Sequence, residues 1–411
     1  MIATLRDAVR PLGARLRGFA GERPRAYLIT GSGGPNFGDE LITRAWLDEL
    51  ARRGWRVTLD GNAGPRVAGA FHAFDRREVE AVVGVKRFAN TRIASRVSAR
   101  PEGAPRLARA LRLGLDAFAP GGVAERPALE GALDALRRAD RIHLSGGGYI
   151  NSWKAPHSAF LIGFVAAAAR HFGVPAYATG LGLTPLKIGD PAAAPLAEAI
   201  SGFALFEVRD AASHRALWRR GRTAPQVICG LDDSWLAPLE TRRDGRRRLH
   251  LSFLSIPDEG PQAALHDAAA ELAAEVDEVV EWACAPRLDP LGRRAVEARL
   301  GRGVTSLDAR ALTYRPIPAA PGDLMISQRF HPHLIAARLG VFGAYAIEGE
   351  YYEDKHLSVV QLGSPWRRFS GAADLREAAA AADRAGPERL DARDVELRGR
   401  QRRIADAIYG A

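Results

Sequence analysis

The stretch LITGSGGPNFGDELITRAWLDEL, residues 28–50, joins an apolar strand pattern to a helical pattern through a glycine-rich turn. Residues 26–29 are apolar, glycines follow at once, and the helical pattern starts near Asp39 and Glu40. Such turns in Rossmann-like folds lie where ligands bind. A dinucleotide fingerprint would require a third glycine where Asn36 stands, and a P-loop would require a Gly-Lys-Ser/Thr sequence that does not follow. The stretch therefore predicts a Rossmann-like domain without identifying its ligand.

Strand and helix patterns alternate along most of the chain beyond this stretch. Parallel strands need crossover connections, which helices supply, so the alternation indicates doubly wound sheets. Near residue 236 the sequence becomes polar and proline-containing, and a second alternation follows. We therefore predict an α/β fold of two Rossmann-like domains facing a central cleft, followed by C-terminal helices. The predicted bounds are 1–235 for the N-terminal, acceptor-side domain, 236–370 for the C-terminal domain, and 371–411 for the helices.

Composition narrows the class of protein. With 47% hydrophobic and 26% charged residues among 411, the chain is typical of a globular protein. The sequence contains no run of about 18 apolar residues, so no membrane span is predicted. Two cysteines, Cys229 and Cys284, cannot form a disulfide framework, so a reducing cytoplasm is expected. An arginine-rich helical pattern at residues 2–20 predicts either a leading helix packed on its own domain or, less in keeping with Pro11, a helix at the inner face of a membrane.

The net charge of +10 raises the question of nucleic-acid binding. Four lysines leave 54 of the 58 basic residues as arginine, and these are spread along the chain. A dispersed excess of arginine lacks the clustered basic face that nucleic-acid binding needs. We therefore predict no nucleic-acid partner and expect the charge to attract anionic small substrates.

Polar and glycine residues follow two predicted strands of the first domain. Asn36 and Asp39 could accept hydrogen bonds from sugar hydroxyls, or they could stabilise the start of the helix. Gly146, Gly147 and Gly148 follow the strand RIHLS and allow either a tight turn or close approach of a ligand. These five residues are the candidates for acceptor binding.

Cationic residues follow other predicted strands. Arg209 ends one strand in the first domain, and Arg329 and His331 stand at the start of a helix in the second. A helix N-terminus favours anions, and a guanidinium fork matches carboxylate or phosphate. Lys355 lies past the next strand, as a second cation or as part of a solvated helix start. His331 and His333 are two residues apart and face different sides of a helix, which argues against a shared metal.

Seven of these segments, taken in order, resemble the motifs of the polysaccharide pyruvyl transferase family. They cover residues 27–362 approximately, which is most of the chain. The matching segments are PNFGDELI (35–42), SGGGYINSW (145–153), ATGLGLTPL (178–186), FEVRDAASHRAL (206–217), CGLDDSWL (229–236), ISQRFHPHLIAARLG (326–340) and YYEDKHLSV (351–359).

The resemblance implies a GT-B-like enzyme that transfers a carboxyethylidene group from phosphoenolpyruvate to the hydroxyls of a sugar. The acceptor would be a polysaccharide or its free, lipid-linked or nucleotide-linked precursor, and no cofactor or metal is implied. Arg209, Arg329 and Lys355 would bind phosphoenolpyruvate, and His331 with Arg329 would be catalytic. General acid–base catalysis by His331 fits the need to protonate the donor methylene.

Two other classes of function remain open from the sequence. A GT-B-type glycosyltransferase would use the same two-domain plan to bind a nucleotide sugar. A redox or non-catalytic Rossmann protein is the third class, since Asp60 stands where a ribose-binding acid would lie.

Overall fold

The structure is a computed structural model that describes residues 23–62, 79–98, 104–148, 151, 156–186, 190–218, 225–241, 244–285, 290–384 and 388–410. The helical pattern predicted for residues 2–20 lies outside these residues. Long-range contacts divide the chain into two units. Unit 1 comprises Met1–Gly34, Leu41–Ala237 and Gly399–Ala411, and unit 2 comprises Pro35–Glu40 and Pro238–Arg398.

Unit 1 is built around a parallel sheet of seven strands in the order β3-β2-β1-β4-β5-β6-β7. The strands are β1 Arg25–Ile29, β2 Arg56–Asp60, β3 Val79–Val82, β4 Arg141–Leu144, β5 Ala176–Leu181, β6 Leu205–Val208 and β7 Val227–Cys229. The helices described between Phe37 and Trp218 are α1 Phe37–Arg52, α2 Val85–Phe88, α3 Ala94–Ser98, α4 Ala104–Leu115, α5 Glu130–Arg138, α6 Ala159–Phe172, α7 Asp190–Ser201 and α8 Ala211–Trp218. A π-helical turn, Ala89–Ile93, joins α2 to α3.

Unit 2 is built around a parallel sheet of six strands in the order β10-β9-β8-β11-β12-β13. The strands are β8 Arg248–Ser252, β9 Glu278–Ala283, β10 Thr305–Asp308, β11 Leu324–Ser327, β12 Phe342–Tyr345 and β13 Arg367–Arg368. The remaining helices are α9 Gly260–Leu272, α10 Pro290–Leu300, α11 Ala309–Tyr314, α12 Phe330–Arg338, α13 Glu350–Gln361, α14 Ala372–Arg384 and α15 Glu388–Tyr409.

Helix α6 shows how the apolar segments determine the packing of unit 1. Residues Ala159–Ala169 are apolar on all sides of the helix and are all buried. Gly163 on α6 and Gly114 on α4 lie at a close helix crossing, where a Cβ on either residue would approach backbone atoms to 2.4 Å or less. Because glycine has no side chain, the two backbones can approach this closely. The helix ends at Gly173, which has a left-handed backbone (φ 66°).

Both sheets reverse their strand order once, which defines a topological switch point in each unit. In unit 1 the reversal lies between β1 and β4, and in unit 2 between β8 and β11. In open α/β sheets, ligands bind beside the carboxyl ends of the strands at such a point. The residues that follow these four strands are therefore the first place to look for function.

The predicted fold class, two Rossmann-like α/β units with C-terminal helices, is confirmed. The predicted domain bounds stay predictions. By contacts the first unit extends to Ala237 and regains the chain at Gly399, while Pro35–Glu40 associates with the second unit. No helix within the described residues is long and apolar enough to cross a membrane.

Candidate functional site

A glutamine side chain joins the two strands at the switch point of unit 2. The Gln328 N–H donates to the Ser252 carbonyl over 2.9 Å, and Gln328 Oε1 accepts from the Leu254 N–H over 2.9 Å. The Gln328 side-chain amide also donates to Gln262 Oε1 on α9 over 2.7 Å. These bonds fix the turn that leads from β11 into α12.

Helix α12 begins directly after this turn, with Arg329 as its N-cap residue. Arg329 is half-buried, its backbone is extended (φ −104°, ψ 137°), and no side chain of the described residues caps the helix. Ser327 Oγ accepts from the Arg329 N–H over 3.0 Å and donates to the Arg329 carbonyl over 2.8 Å. First-turn N–H groups lack intrahelical partners and carry partial positive charge. With a guanidinium beside them, they make this helix start suited to a phosphate.

His331 lies in the first turn of α12, against the residues that begin α1. A Cβ built on Gly38 would lie 1.9 Å from His331 Nδ1, so the absence of a side chain at Gly38 makes room for the imidazole. The Phe330 ring meets the same imidazole edge-on, with ring centroids 4.8 Å apart. The glycine of the opening motif and the histidine of the late motif are therefore packed together, which sequence spacing did not reveal.

The segment before α1 is held by residues of unit 2. The Phe37 N–H donates to the Cys284 carbonyl over 2.9 Å, and the Phe37 ring packs edge-on against Trp282 with centroids 6.1 Å apart. Asn36 Oδ1 accepts from the Gly38 N–H over 3.1 Å, which makes Asn36 a cap for the helix. Asp39 is half-buried in the first turn. Both residues were predicted on the acceptor side of the first domain, whereas their contacts place them with unit 2.

Lys355 lies on α13, the helix that follows the neighbouring strand β12. Its Nζ lies 3.5 Å from the ring centroid of Tyr351 and 5.4 Å from that of Tyr352. The residue is 7% exposed, so its aliphatic stem is packed while its charge faces an aromatic ring. The helix starts after Gly349 (φ 77°), and none of the described side chains caps it. Two neighbouring helices of unit 2 thus begin without side-chain caps at adjacent strand ends.

Four stacked rings pack beneath these two helices: His333, Tyr345, His356 and Trp366. Their planes lie within 11° to 23° of one another in the four stacked pairs they form. The two imidazoles are joined through their Nδ1 atoms, which lie 2.9 Å apart, so one of them donates and the other accepts. Burial lowers the pKa of both imidazoles, that of His356 to about 3, so the pair stays neutral. This ring column ties α12 to α13.

The glycine run after β4 lies at the switch point of unit 1. The Gly146 N–H donates to Asp233 Oδ2 over 2.8 Å, and the Gly147 N–H faces the Gly180 carbonyl at 3.5 Å. A Cβ on Gly146 would lie 2.6 Å from that same carbonyl, so the tight packing requires glycine. The Gly148 carbonyl accepts from the Asn151 side chain over 3.2 Å. The Gly146 and Gly147 N–H groups therefore face protein acceptors, and the role of the run in acceptor binding stays a prediction.

Arg209, at the end of β6, is 4% exposed and lies among carboxylates. Its Nη1 is 3.1 Å from Asp232 Oδ2, and its Nε is 3.5 Å from Asp210 Oδ2. The guanidinium also packs against Gly182, where a Cβ would lie 2.6 Å from it. Two carboxylates balance this charge inside unit 1. The predicted role of Arg209 in binding a donor anion is not what this environment favours.

A buried carboxyl pair, Glu207 and Asp233, lies beneath the same glycine run. The Gln401 side-chain amide on α15 reaches both, at 3.2 Å from Glu207 Oε2 and 3.0 Å from Asp233 Oδ1. Thr179 Oγ1 lies 2.8 Å from both Asp233 Oδ2 and His143 Nε2. Burial, reinforced by their mutual repulsion, raises the pKa of Glu207 to about 8, and burial raises the pKa of Asp233 as well. The two adjacent acids in CGLDDSWL (229–236) are the sequence signal for this pair, but the motif alone does not show that Asp233 is buried beside Glu207.

Asp60, which stands where a ribose-binding acid would lie, is fully buried. It accepts from the Tyr27 hydroxyl over 2.9 Å and from the Lys86 N–H over 3.3 Å. Burial raises its pKa to about 6. The carboxylate therefore stabilises the start of α2, and its enclosure leaves no support for the redox interpretation.

The described residues contain no group of three or more His, Cys, Asp or Glu side chains placed to hold a metal ion. Of the predicted site residues, Arg329, His331, Lys355, Asn36 and Asp39 lie in unit 2, and Arg209 and the three glycines lie in unit 1.

Comparison with known proteins supports the fold and not a family. No family model and no curated protein matches the chain. Among solved structures, the UDP-GlcNAc 2-epimerase of Neisseria meningitidis bound to UDP-GlcNAc aligns with a TM-score of 0.54 and 11% identity, covering 94% of this chain and 100% of that chain. A glycosyltransferase from Rickettsia africae aligns with a TM-score of 0.51 and 8% identity, covering 93% of this chain and 94% of that chain. The chain thus has the fold of these GT-B-type sugar enzymes.

These neighbours correct the predicted enzyme type. They are an epimerase and a glycosyltransferase, not pyruvyl transferases, so the prediction of a polysaccharide pyruvyl transferase is wrong, and phosphoenolpyruvate as a substrate has no support. The physical reason lies in the motifs. Each is short and follows a strand, where many Rossmann-like enzymes place glycines, acids and arginines. The motifs therefore indicate a Rossmann-like fold but do not identify the donor substrate.

Proposed function

We propose that the protein is a GT-B-type glycosyltransferase that uses a nucleotide sugar, with the diphosphate bound by unit 2. One observation carries the proposal: α12 begins at the switch point of the second sheet, with Arg329 at its N-cap and His331 in its first turn. Helix N-termini at this place in α/β sheets bind phosphates. The neighbours of the same fold, one solved with UDP-GlcNAc and one named a glycosyltransferase, support the choice of ligand.

The chemistry of transfer fits this placement. When the bond between the sugar anomeric carbon and the diphosphate oxygen breaks, negative charge grows on the leaving diphosphate. The N–H groups of α12 and the Arg329 guanidinium would stabilise that charge, and charge-assisted hydrogen bonds of this type are the stronger ones. His331 would lie beside the same phosphates and donate a hydrogen bond to them. A hydroxyl of the acceptor sugar attacks the anomeric carbon, and its proton passes to the solvent.

Binding of UDP, measured by isothermal titration calorimetry, tests the proposal. We expect wild type to bind UDP and UDP-GlcNAc, and Arg329→Ala to weaken UDP binding by about 10- to 100-fold, because it removes charge-assisted hydrogen bonds. Arg315→Ala is the matched control, since Arg315 is exposed in the same unit and lies at the end of α11. Absence of binding to UDP, ADP and GDP, or an equal loss in both variants, would contradict the proposal.

The type of reaction is tested separately by following UDP-GlcNAc with NMR. Glycosyl transfer releases UDP faster when a sugar acceptor is added. Epimerisation instead changes the sugar without an acceptor and leaves the nucleotide sugar intact. An acceptor-independent change of the sugar configuration would keep the proposed ligand and replace transfer by epimerisation.

A further inference from the structure

The chain contains four asparagines, and each follows one of the first four strands of the unit 1 sheet. Asn36, Asn62, Asn90 and Asn151 lie in the segments that follow β1, β2, β3 and β4, in that order. In a parallel sheet, the carboxyl ends of all strands lie along one edge. Elsewhere in the 411 residues no asparagine occurs.

Two of these asparagines form a ladder of carboxamides with the glycine turn after β1. Asn62 Nδ2 donates to the Gly31 carbonyl over 2.5 Å, and Asn90 Nδ2 donates to Asn62 Oδ1 over 2.5 Å. The Asn62 N–H donates to the Ser32 carbonyl over 2.7 Å. Asn62 is half-buried and Asn90 is exposed, so the ladder runs from the turn to the surface. Within the described part of the chain, Asn90 Oδ1 takes part in no hydrogen bond.

The backbone beneath the ladder is held firmly. Asp60 receives the Tyr27 hydroxyl and the Lys86 N–H, which fixes the start of α2. A Cβ on Gly84 would lie 2.6 Å from Asp60 Oδ2, so the helix start lies tightly against β2. Lys86 itself is 2% exposed. Side chains on such supported elements bind ligands with little loss of freedom.

A rare backbone conformation places Asn90 in the ladder. The π-helical turn Ala89–Ile93 interrupts an otherwise α-helical segment, and Asn90 is its second residue. The extra residue in a π turn changes which side chains face a given side, and such turns occur frequently at functional sites. The neighbouring Thr91 is exposed too, but its hydroxyl donates to the Arg87 carbonyl over 2.9 Å. Asn90 therefore differs from Thr91 in having hydrogen-bonding groups left for a ligand.

We propose that Asn62 and Asn90, with the Gly31 turn, form a carboxamide shelf that binds neighbouring hydroxyls of a neutral sugar. A carboxamide offers both a donor and an acceptor, as each hydroxyl of a diol does, and the ladder fixes their directions. An apolar ligand or a lone anion would match this pattern less well. That the sugar is the acceptor of glycosyl transfer rests on the proposed function, whereas sugar binding itself does not.

Selective ¹⁵N labelling of asparagine tests the shelf directly, because the whole chain then gives four carboxamide signals. The probes are the methyl glycosides of glucose, galactose, mannose and N-acetylglucosamine, titrated one at a time. We expect at least one of them to shift the Asn62 and Asn90 carboxamide signals. No shift of these two signals with any probe would overturn the proposal.

Variants then separate the shelf from general effects on the fold. Asn90→Leu and Asn62→Leu should weaken binding of the active glycoside by about fivefold to tenfold, the effect of losing one or two hydrogen bonds. Thr91→Ala, the matched control on the same turn, should leave binding unchanged. Equal affinity in all proteins would overturn the proposal. Measuring UDP affinity distinguishes the two proposals. The shelf variants should bind UDP as tightly as wild type does. Arg329→Ala should bind the glycoside as tightly as wild type does, even though its UDP binding is weaker.

Discussion

Arg209 and Arg329 both lie between a parallel strand and the helix that follows it, yet their surroundings differ. Each follows a strand and precedes a helix, at the end of β6 in unit 1 and of β11 in unit 2. Arg209 is 4% exposed and lies within 3.5 Å of two carboxylates. Arg329 is half-buried at the start of α12. A buried guanidinium beside carboxylates helps to hold a fold together, whereas one at a helix start lies beside N–H groups that favour an anion.

The difference teaches that the position of an arginine at a strand end does not decide its role. The groups that surround the arginine in the fold decide that role. Asp210 follows Arg209 directly, and Asp232 lies on the segment after β7. Arg329 is followed by Phe330, His331 and Pro332, none of which brings a negative charge. The two carboxylates within 3.5 Å of Arg209 therefore identify it as part of the interior of unit 1.

The largest expected effect is on the stability of unit 1. Arg209→Ala leaves Asp210 and Asp232 buried without their cation, and breaking a buried ion pair on one side costs about 3–5 kcal/mol. Urea denaturation followed by circular dichroism should show this loss in the free energy of unfolding. Arg329→Ala should change that free energy by less, because Arg329 is half-buried whereas Arg209 is enclosed. Equal stability of the two variants would show that the two arginines do not differ in this way.

The next effect concerns the ring column of unit 2. His356→Phe keeps a ring in the stack but removes the hydrogen bond from His333 Nδ1, which is then buried without that partner. An unmet buried polar group costs about 1–3 kcal/mol. The variant should unfold at a lower urea concentration. A His356→Phe variant as stable as wild type would mean that stacking, not the imidazole pair, holds α12 to α13.

The smallest expected effect is a pH dependence of stability that arises in unit 1. Burial raises the pKa of Glu207 to about 8, so native unit 1 keeps a proton that the unfolded chain has already released at neutral pH. The free energy of unfolding therefore falls as pH rises from the ordinary carboxyl pKa toward that value. Between about pH 6 and about pH 9 the loss should be on the order of 2 kcal/mol.

Glu207→Gln should reduce this alkaline loss, because an amide does not titrate. Its side-chain N–H could also donate to Gln401 Oε1, which has no hydrogen-bond partner among the described residues. Melting temperatures of both proteins across this pH range provide the measurement, and the difference between their slopes is the quantity to compare. Parallel pH profiles would remove Glu207 as the source. Buried imidazoles with lowered pKa occur in both units, His143 in unit 1 and His333 in unit 2. A loss of stability at acid pH would therefore not distinguish the two units.

Local sequence patterns predicted the sheets well, because apolar runs such as β5 are fully buried and helices separate the strands. They also marked the helix start at Arg329 and His331. They could not show that Gly38 makes room for His331, since that contact joins residues far apart in the chain. Nor could they show the burial of Arg209, which depends on Asp232. The carboxamide shelf was missed because residues 62–135 lack a regular pattern, and a π turn has no sequence signature as clear as helical spacing.

The C-terminal half of helix α15 contacts buried polar residues of the unit 1 sheet. Gln401 contacts Glu207 and Asp233, and the Tyr409 hydroxyl lies 2.8 Å from His143 Nδ1. A ribosome releases these residues after all of the strands have been made. Domains usually fold in the order of synthesis, but the contacts of Glu207, Asp233 and His143 in unit 1 are complete only once helix α15 has emerged.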